Sequence, residues 1–243
     1  LGASPAIVRI AVSAESYPPF SFKDASGRWT GFDMDLAQAV CAAERLRCEM
    51  IGIPWAHLLP QLLEGRVDAV WSSMQITEER KKIIAFTEIY YESINALVGR
   101  TGDAAAPSVA DSGSLAGKVI GVQGATASAA FIHKRFGTTA EVKLYSTLDG
   151  ALADLKAGRL DYVSDFVAFL TPFLDANPGF AIKTAWPLDP ILNQGVAIAI
   201  RQDDTVLRDK LNSGLAAVIS SGTYDQILGR YPGLDREIRK PQF

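Results

Sequence analysis

The chain has 243 residues, 48% of them hydrophobic and 21% charged, with a net charge of −3. This is ordinary composition for a globular protein able to bury one large core or two smaller ones. No block of basic residues favours nucleic acid or an anionic membrane, and no apolar run approaches the roughly 20 residues that span a bilayer.

In chain order, residues 7–14 form a predicted strand and Tyr17-Pro18-Pro19-Phe20 a turn that forbids helix, with a further turn at Gly27. Residues 32–43 carry amphipathic helical spacing, 48–53 a strand, 58–64 a short helix closed by Gly65, and 67–72 a strand. A polar turn then leads to a helix opening near Thr77. Residues 94–98 read as strand and 102–114, rich in small residues, as loop. A similar second half follows, with strand 119–122, turn 123–126, helix 127–136, strand 142–145, helix 147–158, and strand 162–164 followed by Asp165 and another helix. Strand 196–200 and helices 203–221 and 224–230 complete the chain. The expected class is α/β with parallel βαβ units. Residues 62–70 (LLEGRVDAV) parallel 155–163 (LKAGRLDYV), which suggests two α/β lobes of related design. Ligands in such sheets bind beyond the carboxyl ends of the strands, so two lobes would present those ends to a shared cleft.

Arg80 stands out within Ser72-Ser73-Met74-Gln75-Ile76-Thr77-Glu78-Glu79-Arg80. A guanidinium beside strand-end hydroxyls can grip both oxygens of one carboxylate. The competing reading is a solvated helix charge, given Glu78, Glu79, Lys81 and Lys82 around it. Cys41 and Cys48 are either two core thiols or a disulfide across a helix-to-strand reversal, and a disulfide implies an oxidising compartment. His57 and His133 join no ligand cluster, so no metal is expected. Nor is a cofactor or a catalytic nucleophile, since the chain has no GxxxxGK[ST], GxSxG or HExxH. The first five residues lack signal-peptide features, so any signal peptide is expected to have been removed.

Several motifs recur in an order that carries a resemblance: Tyr17-Pro18-Pro19-Phe20, Gly31-Phe32-Asp33-Met34-Asp35, Trp55 before Leu58-Leu59-Pro60, Gly65-Arg66-Val67-Asp68-Ala69, Ile76-Thr77-Glu78-Glu79-Arg80, Gly121-Val122-Gln123-Gly124-Ala125-Thr126 and Gly222-Thr223-Tyr224-Asp225. Together they resemble the bacterial extracellular solute-binding proteins of family 3, the polar amino-acid receptors of ABC importers. The resemblance spans nearly the whole chain. It implies a two-lobed periplasmic-binding-protein fold of type II, with two hinge strands near 94–98 and 193–197. Lobe one would comprise 1–96 plus 196–243, and lobe two 97–195. The implied protein is a periplasmic monomer that hands a zwitterionic amino acid or derivative to an ABC permease. The cysteine pair resembles the disulfide of the subgroup that binds lysine, arginine, ornithine and histidine. Opines are further candidate ligands.

By the same resemblance, Arg80 clamps the ligand carboxylate with help from Thr126, and Asp165 takes the α-ammonium. Groups at Ser72 and Ser73 share in holding the ligand, and Tyr17 and Trp55 sandwich its side chain. The chain departs from the pattern at Gln75, where Ser or Thr is usual, and at Ala125, where Ser is common. Asp161 to Asp165 is one residue shorter than the family spacing. Ala14 stands where cation-binding members carry an acid, and strand alternation would turn its neighbour Glu15 to the opposite face. Two other readings share the fold: a cyclohexadienyl-dehydratase-like enzyme, and the sensor domain of a receptor.

Overall fold

A computed structural model describes residues 7–105 and 107–241; the outermost bounds expected for lobe one lie outside them. The chain divides into two compact units, one built from residues up to Glu92 together with those from Gly195 onward, the other from Ser93–Gln194. The first unit begins with β1 (Ile7–Ser13), β2 (Phe22–Lys23), β3 (Trp29–Thr30), α1 (Phe32–Ala43), β4 (Arg47–Ile53), α2 (Leu58–Leu63), β5 (Ala69–Val70), α3 (Glu78–Lys81) and β6 (Ala85–Ser93). The second unit holds β7 (Asn95–Arg100), β8 (Val119–Gln123), α4 (Ala127–Phe136), β9 (Glu141–Tyr145), α5 (Leu148–Lys156), β10 (Tyr162–Phe166), α6 (Val167–Ala176) and β11 (Phe180–Ala185). The chain then returns to the first unit with β12 (Val196–Ile200), α7 (Thr205–Ser220), α8 (Thr223–Leu228), α9 (Leu234–Glu237) and β13 (Ile238–Arg239).

The first sheet has the order β13-β6-β12-β5-β1-β4, the second β11-β7-β10-β8-β9. Both are mixed rather than purely parallel. β1 runs parallel to β4 and β5, while β12 is antiparallel to β5 and β6. In the second sheet β8 is parallel to β9 and β10, and β7 is antiparallel to β10 and β11. β12 is buried along its whole length, which suits the unbroken apolar run Val196–Ile200 of an inner strand.

The repeated LxxGR(V/L)D segment has a physical meaning in each unit. Gly65 and Gly158 take left-handed φ values of 71° and 79° just past α2 and α5, a conformation that costs glycine nothing. The following aspartate then docks on a neighbouring strand, β1 in the first unit and β8 in the second. Asp68 N–H donates to Arg9 O at 2.8 Å, and its carboxylate accepts Arg9 N–H at 2.9 Å. Asp161 makes the same exchange with Val119, at 2.9 and 2.8 Å.

The Tyr-Pro-Pro-Phe turn also has a use. Phe32 N–H donates to Pro19 O and Asp33 N–H to Phe20 O, at 2.8 and 3.0 Å, so the turn satisfies first-turn donors of α1. Gly31 sits between them at φ 115°, where a Cβ would meet Phe20 O at 2.3 Å, so only glycine fits. Cys41, near the end of α1, is joined by a disulfide to Cys48 at the start of β4, with Cα atoms 6.3 Å apart.

Candidate functional site

In the first unit the candidate residues gather at the carboxyl ends of β1, β4 and β5. Regular pairing of β5 stops at Val70, two residues short of the predicted strand end. That frees Trp71, Ser72 and Ser73 to turn. Ser72 is buried and its Oγ accepts the Ser13 N–H at 3.0 Å, tying the two strand ends together. Ser73 adopts a left-handed φ of 50°, strained for a residue with a Cβ. Its polar groups are turned inward. The Ser73 N–H donates to Tyr90 Oη at 3.1 Å, and Ser73 Oγ donates to Asp33 Oδ2 at 2.8 Å.

The next stretch positions Arg80. Ile76 N–H donates to Gly195 O and Ala197 N–H to Met74 O, at 3.0 and 3.1 Å, so residues 74–76 are clamped to the start of β12. Thr77 caps α3 and accepts Arg80 N–H at 3.1 Å. Arg80 Nη1 then donates to the carbonyl of buried Gln75 at 2.7 Å, and the guanidinium lies over the Trp55 ring, 5.9 Å from its centroid. Burial pulls its pKa down to about 10, which leaves it cationic at neutral pH. The neighbours behave otherwise: Lys81 pairs with Glu78 and Lys82 with Glu79 on the exposed side. Arg80 is therefore set apart from the solvated charges around it.

Glu15 follows Ser13 by two residues and shares its side of the strand end, opposite Ala14, as alternation gives. The Glu15 carboxylate accepts the Ser13 hydroxyl, and the Trp55 N–H at 3.1 Å, which brings a negative charge to the base of Trp55. Half-buried Tyr17 follows two residues later and opens the turn in which its carbonyl accepts Phe20 N–H at 2.8 Å.

In the second unit, Thr126 caps α4 and Ala125 before it takes a left-handed φ of 59°. The Thr126 hydroxyl donates to Gln123 O at 2.7 Å and accepts Ala129 N–H at 3.0 Å. What it leaves for an anion is the first-turn N–H groups at the positive end of the helix. Asp165 lies inside β10, which runs two residues past the predicted strand end, rather than after it. One oxygen accepts the Phe166 N–H at 2.7 Å, and burial outweighs that bond to raise its pKa to about 7. Ser128, the second residue of α4, donates its hydroxyl to the Ser164 carbonyl at 3.0 Å, which ties the start of α4 to β10 next to Asp165.

Comparison with known proteins decides the family. A profile of the bacterial extracellular solute-binding proteins, family 3, matches residues 8–233. A putative ABC transporter arginine-binding protein 2 of Escherichia coli K12 is 36% identical over 225 residues, covering 92% of this chain and 90% of that protein. An L-arginine-binding protein of Pseudomonas aeruginosa is 36% identical over 233 residues, covering 94% and 88%. Among solved structures, an ancestral arginine-binding protein bound to arginine matches with a TM-score of 0.83 and 31% identity, covering 93% of this chain and 98% of the other. The chain belongs to the bacterial extracellular solute-binding proteins, family 3.

This solute-binding protein has the type II two-lobe fold of its relatives. The relatives named are binding proteins, not enzymes. Among the described residues no helix is long and apolar enough to cross a membrane. Two groups at the site were not assigned a role from the sequence. Asp33 is completely buried behind Ser73, and Tyr90 donates to it at 3.1 Å. The one sequence signal was an aspartate on the apolar face of a predicted amphipathic helix, where a charge needs partners.

Proposed function

We propose that this solute-binding protein captures an amino acid with a cationic side chain, or a close derivative, in the periplasm and delivers it to an ABC importer. The carrying observation is the half-buried guanidinium of Arg80, fixed by the Gln75 carbonyl at 2.7 Å against Trp55. Such a pre-oriented fork suits a carboxylate. In this reading Arg80 holds the ligand carboxylate, aided by the first-turn N–H groups at Thr126. Asp165 takes the α-ammonium, and Tyr17 and Trp55 flank the side chain. Gln75 and the Ser72–Ser73 turn complete the wall.

Glu15 supports the cationic side chain. Its carboxylate is bonded to the Ser13 hydroxyl and the Trp55 N–H, both neutral donors, which leaves its charge for a cationic head beside the aromatic ring. The arginine-binding relatives point the same way. The test is a thermal-shift and calorimetric panel of L-amino acids. L-arginine, L-lysine, L-ornithine or L-histidine should raise the melting temperature by mass action and bind at about micromolar affinity or tighter. A panel in which only neutral or acidic ligands bind would overturn the cationic class. Arogenate and prephenate should show no turnover, in keeping with a binding protein.

A further inference from the structure

Asp33 carries a consequence of its own, which rests on the proposed cationic ligand. It lies on α1 with no exposed surface. Its Oδ2 accepts two hydroxyls, Ser73 Oγ at 2.8 Å and Tyr90 Oη at 3.1 Å, and Tyr90 Oη in turn accepts the Ser73 N–H at 3.1 Å. The three residues close a ring of hydrogen bonds around the left-handed Ser73. Oδ1 is buried and, among the described residues, has no hydrogen-bond partner. We propose that Asp33 is a positioning residue of the binding site: it holds the Ser73 turn in its strained conformation, directs the Ser73 hydroxyl proton inward so that Oγ faces the site as an acceptor, and supplies a buried negative charge that is linked to uptake of a cation there.

The surroundings support a charge with no counter-ion. From β6 it meets Tyr90, with Tyr91 next to it; from α8, Tyr224, whose hydroxyl donates to the Tyr90 carbonyl at 2.7 Å. Phe20 and Phe32 pack against Tyr91 and Tyr224. On α1 itself, Asp35 faces Arg230 and Tyr231. Among the described residues no Lys, Arg or His is close enough to influence its ionisation. Burial, opposed by the Ser73 and Tyr90 hydrogen bonds, lifts its pKa to about 7. A proton added at the unpartnered Oδ1 leaves both hydroxyl bonds to Oδ2 in place, so neutralisation changes the charge behind Ser73 rather than the geometry. In the proposed site the Ser72–Ser73 turn is part of the wall, so a cationic ligand held there favours the ionised form, and by reciprocity its binding near pH 7 releases protons.

Asp33→Asn keeps the shape and an accepting oxygen but removes the charge. The raised pKa means that Asp33 ionises at a cost to the fold. Its contribution to stability declines between the unfolded value near pH 4 and about pH 7. D33N should therefore melt at the same or a higher temperature than wild type at pH 8. It should bind L-arginine about ten-fold more weakly, and release fewer protons on binding at pH 7, measured by calorimetry in two buffers of different ionisation enthalpy. A merely structural aspartate would instead lower the melting temperature. Tyr90→Phe, which removes the central hydroxyl of the ring, is the second variant; it decides the matter if D33N fails to fold, and should also weaken L-arginine binding. Wild-type affinity and proton release in folded D33N, or wild-type affinity in Tyr90→Phe, would overturn the role of Asp33 alone. A wild-type protein that binds none of L-arginine, L-lysine, L-ornithine and L-histidine would instead overturn the proposed ligand class, and this inference with it.

Discussion

Two candidate side chains, one in each unit, are held in states they would not choose in water. Arg80 is half-buried but stays charged, and Asp165 is buried with a pKa raised to about 7. For Asp165 the sign is clear. The folded state binds the proton more tightly than the unfolded chain, so stability falls as pH rises from about 4 to about 7. An ammonium ligand would favour the ionised form. Asp165→Asn is therefore expected to raise the melting temperature of the unliganded protein at pH 8 while weakening amino-acid binding by about 100-fold. In the wild type, affinity should fall as pH drops below about 7. Unchanged affinity from pH 8 to pH 5.5 would remove Asp165 from the ammonium site. Glu15→Gln tests the side-chain end: L-arginine binding should weaken about ten-fold while L-glutamine binding holds. Equal losses for both ligands would show that Glu15 only anchors Trp55. The sequence pointed to Arg80 through its hydroxyl-rich neighbours. It gave Glu15 no role, because alternation says which residues share a side and not that this side meets Trp55, 40 residues on.

At the scale of elements, short caps and turns set the positions of long side chains. α3 has only four residues, and the Thr77 hydroxyl fixes its first turn by accepting Arg80 N–H. Thr77→Ala should cost about 1 kcal/mol of stability. It should also weaken ligand binding, since Arg80 loses its backbone anchor; calorimetry on the folded variant checks both. The docking aspartates of the repeat offer a pH test. Burial alone would raise the Asp68 pKa, but hydrogen bonds from Arg9 and Arg201 outweigh it and the net shift is downward. Its stabilisation is thus present above about pH 4 and is lost as pH falls through the lower folded value. Asp68→Ala should lower the melting temperature at pH 7 and narrow the gap to wild type in acid. Helices α1 and α4 and strand β12 were legible to the residue because their apolar spacing is clean. β6 was not, because its two buried tyrosines are adjacent and break any period of two. β5 was read too long, since its apolar run continues into the Trp71 turn.

At the scale of the whole molecule, the α/β class and the family were legible because ordered short motifs mark turns that sequence chemistry dictates, such as Gly31 between the Pro19 and α1 contacts. The mixed character of the sheets was not, since strand direction depends on long-range pairing that no local pattern encodes. The same limit explains Asp33: its partners Ser73 and Tyr90 lie 40 and 57 residues away in sequence. The most direct measurement is calorimetry of wild type and Arg80→Ala with L-arginine and with agmatine, which keeps the guanidinium side chain but lacks the carboxylate. Wild type is expected to prefer L-arginine by about 100-fold or more. Arg80→Ala should bind both ligands weakly and without preference. An Arg80→Ala protein that still favours L-arginine over agmatine as strongly as wild type would show that the carboxylate is held elsewhere.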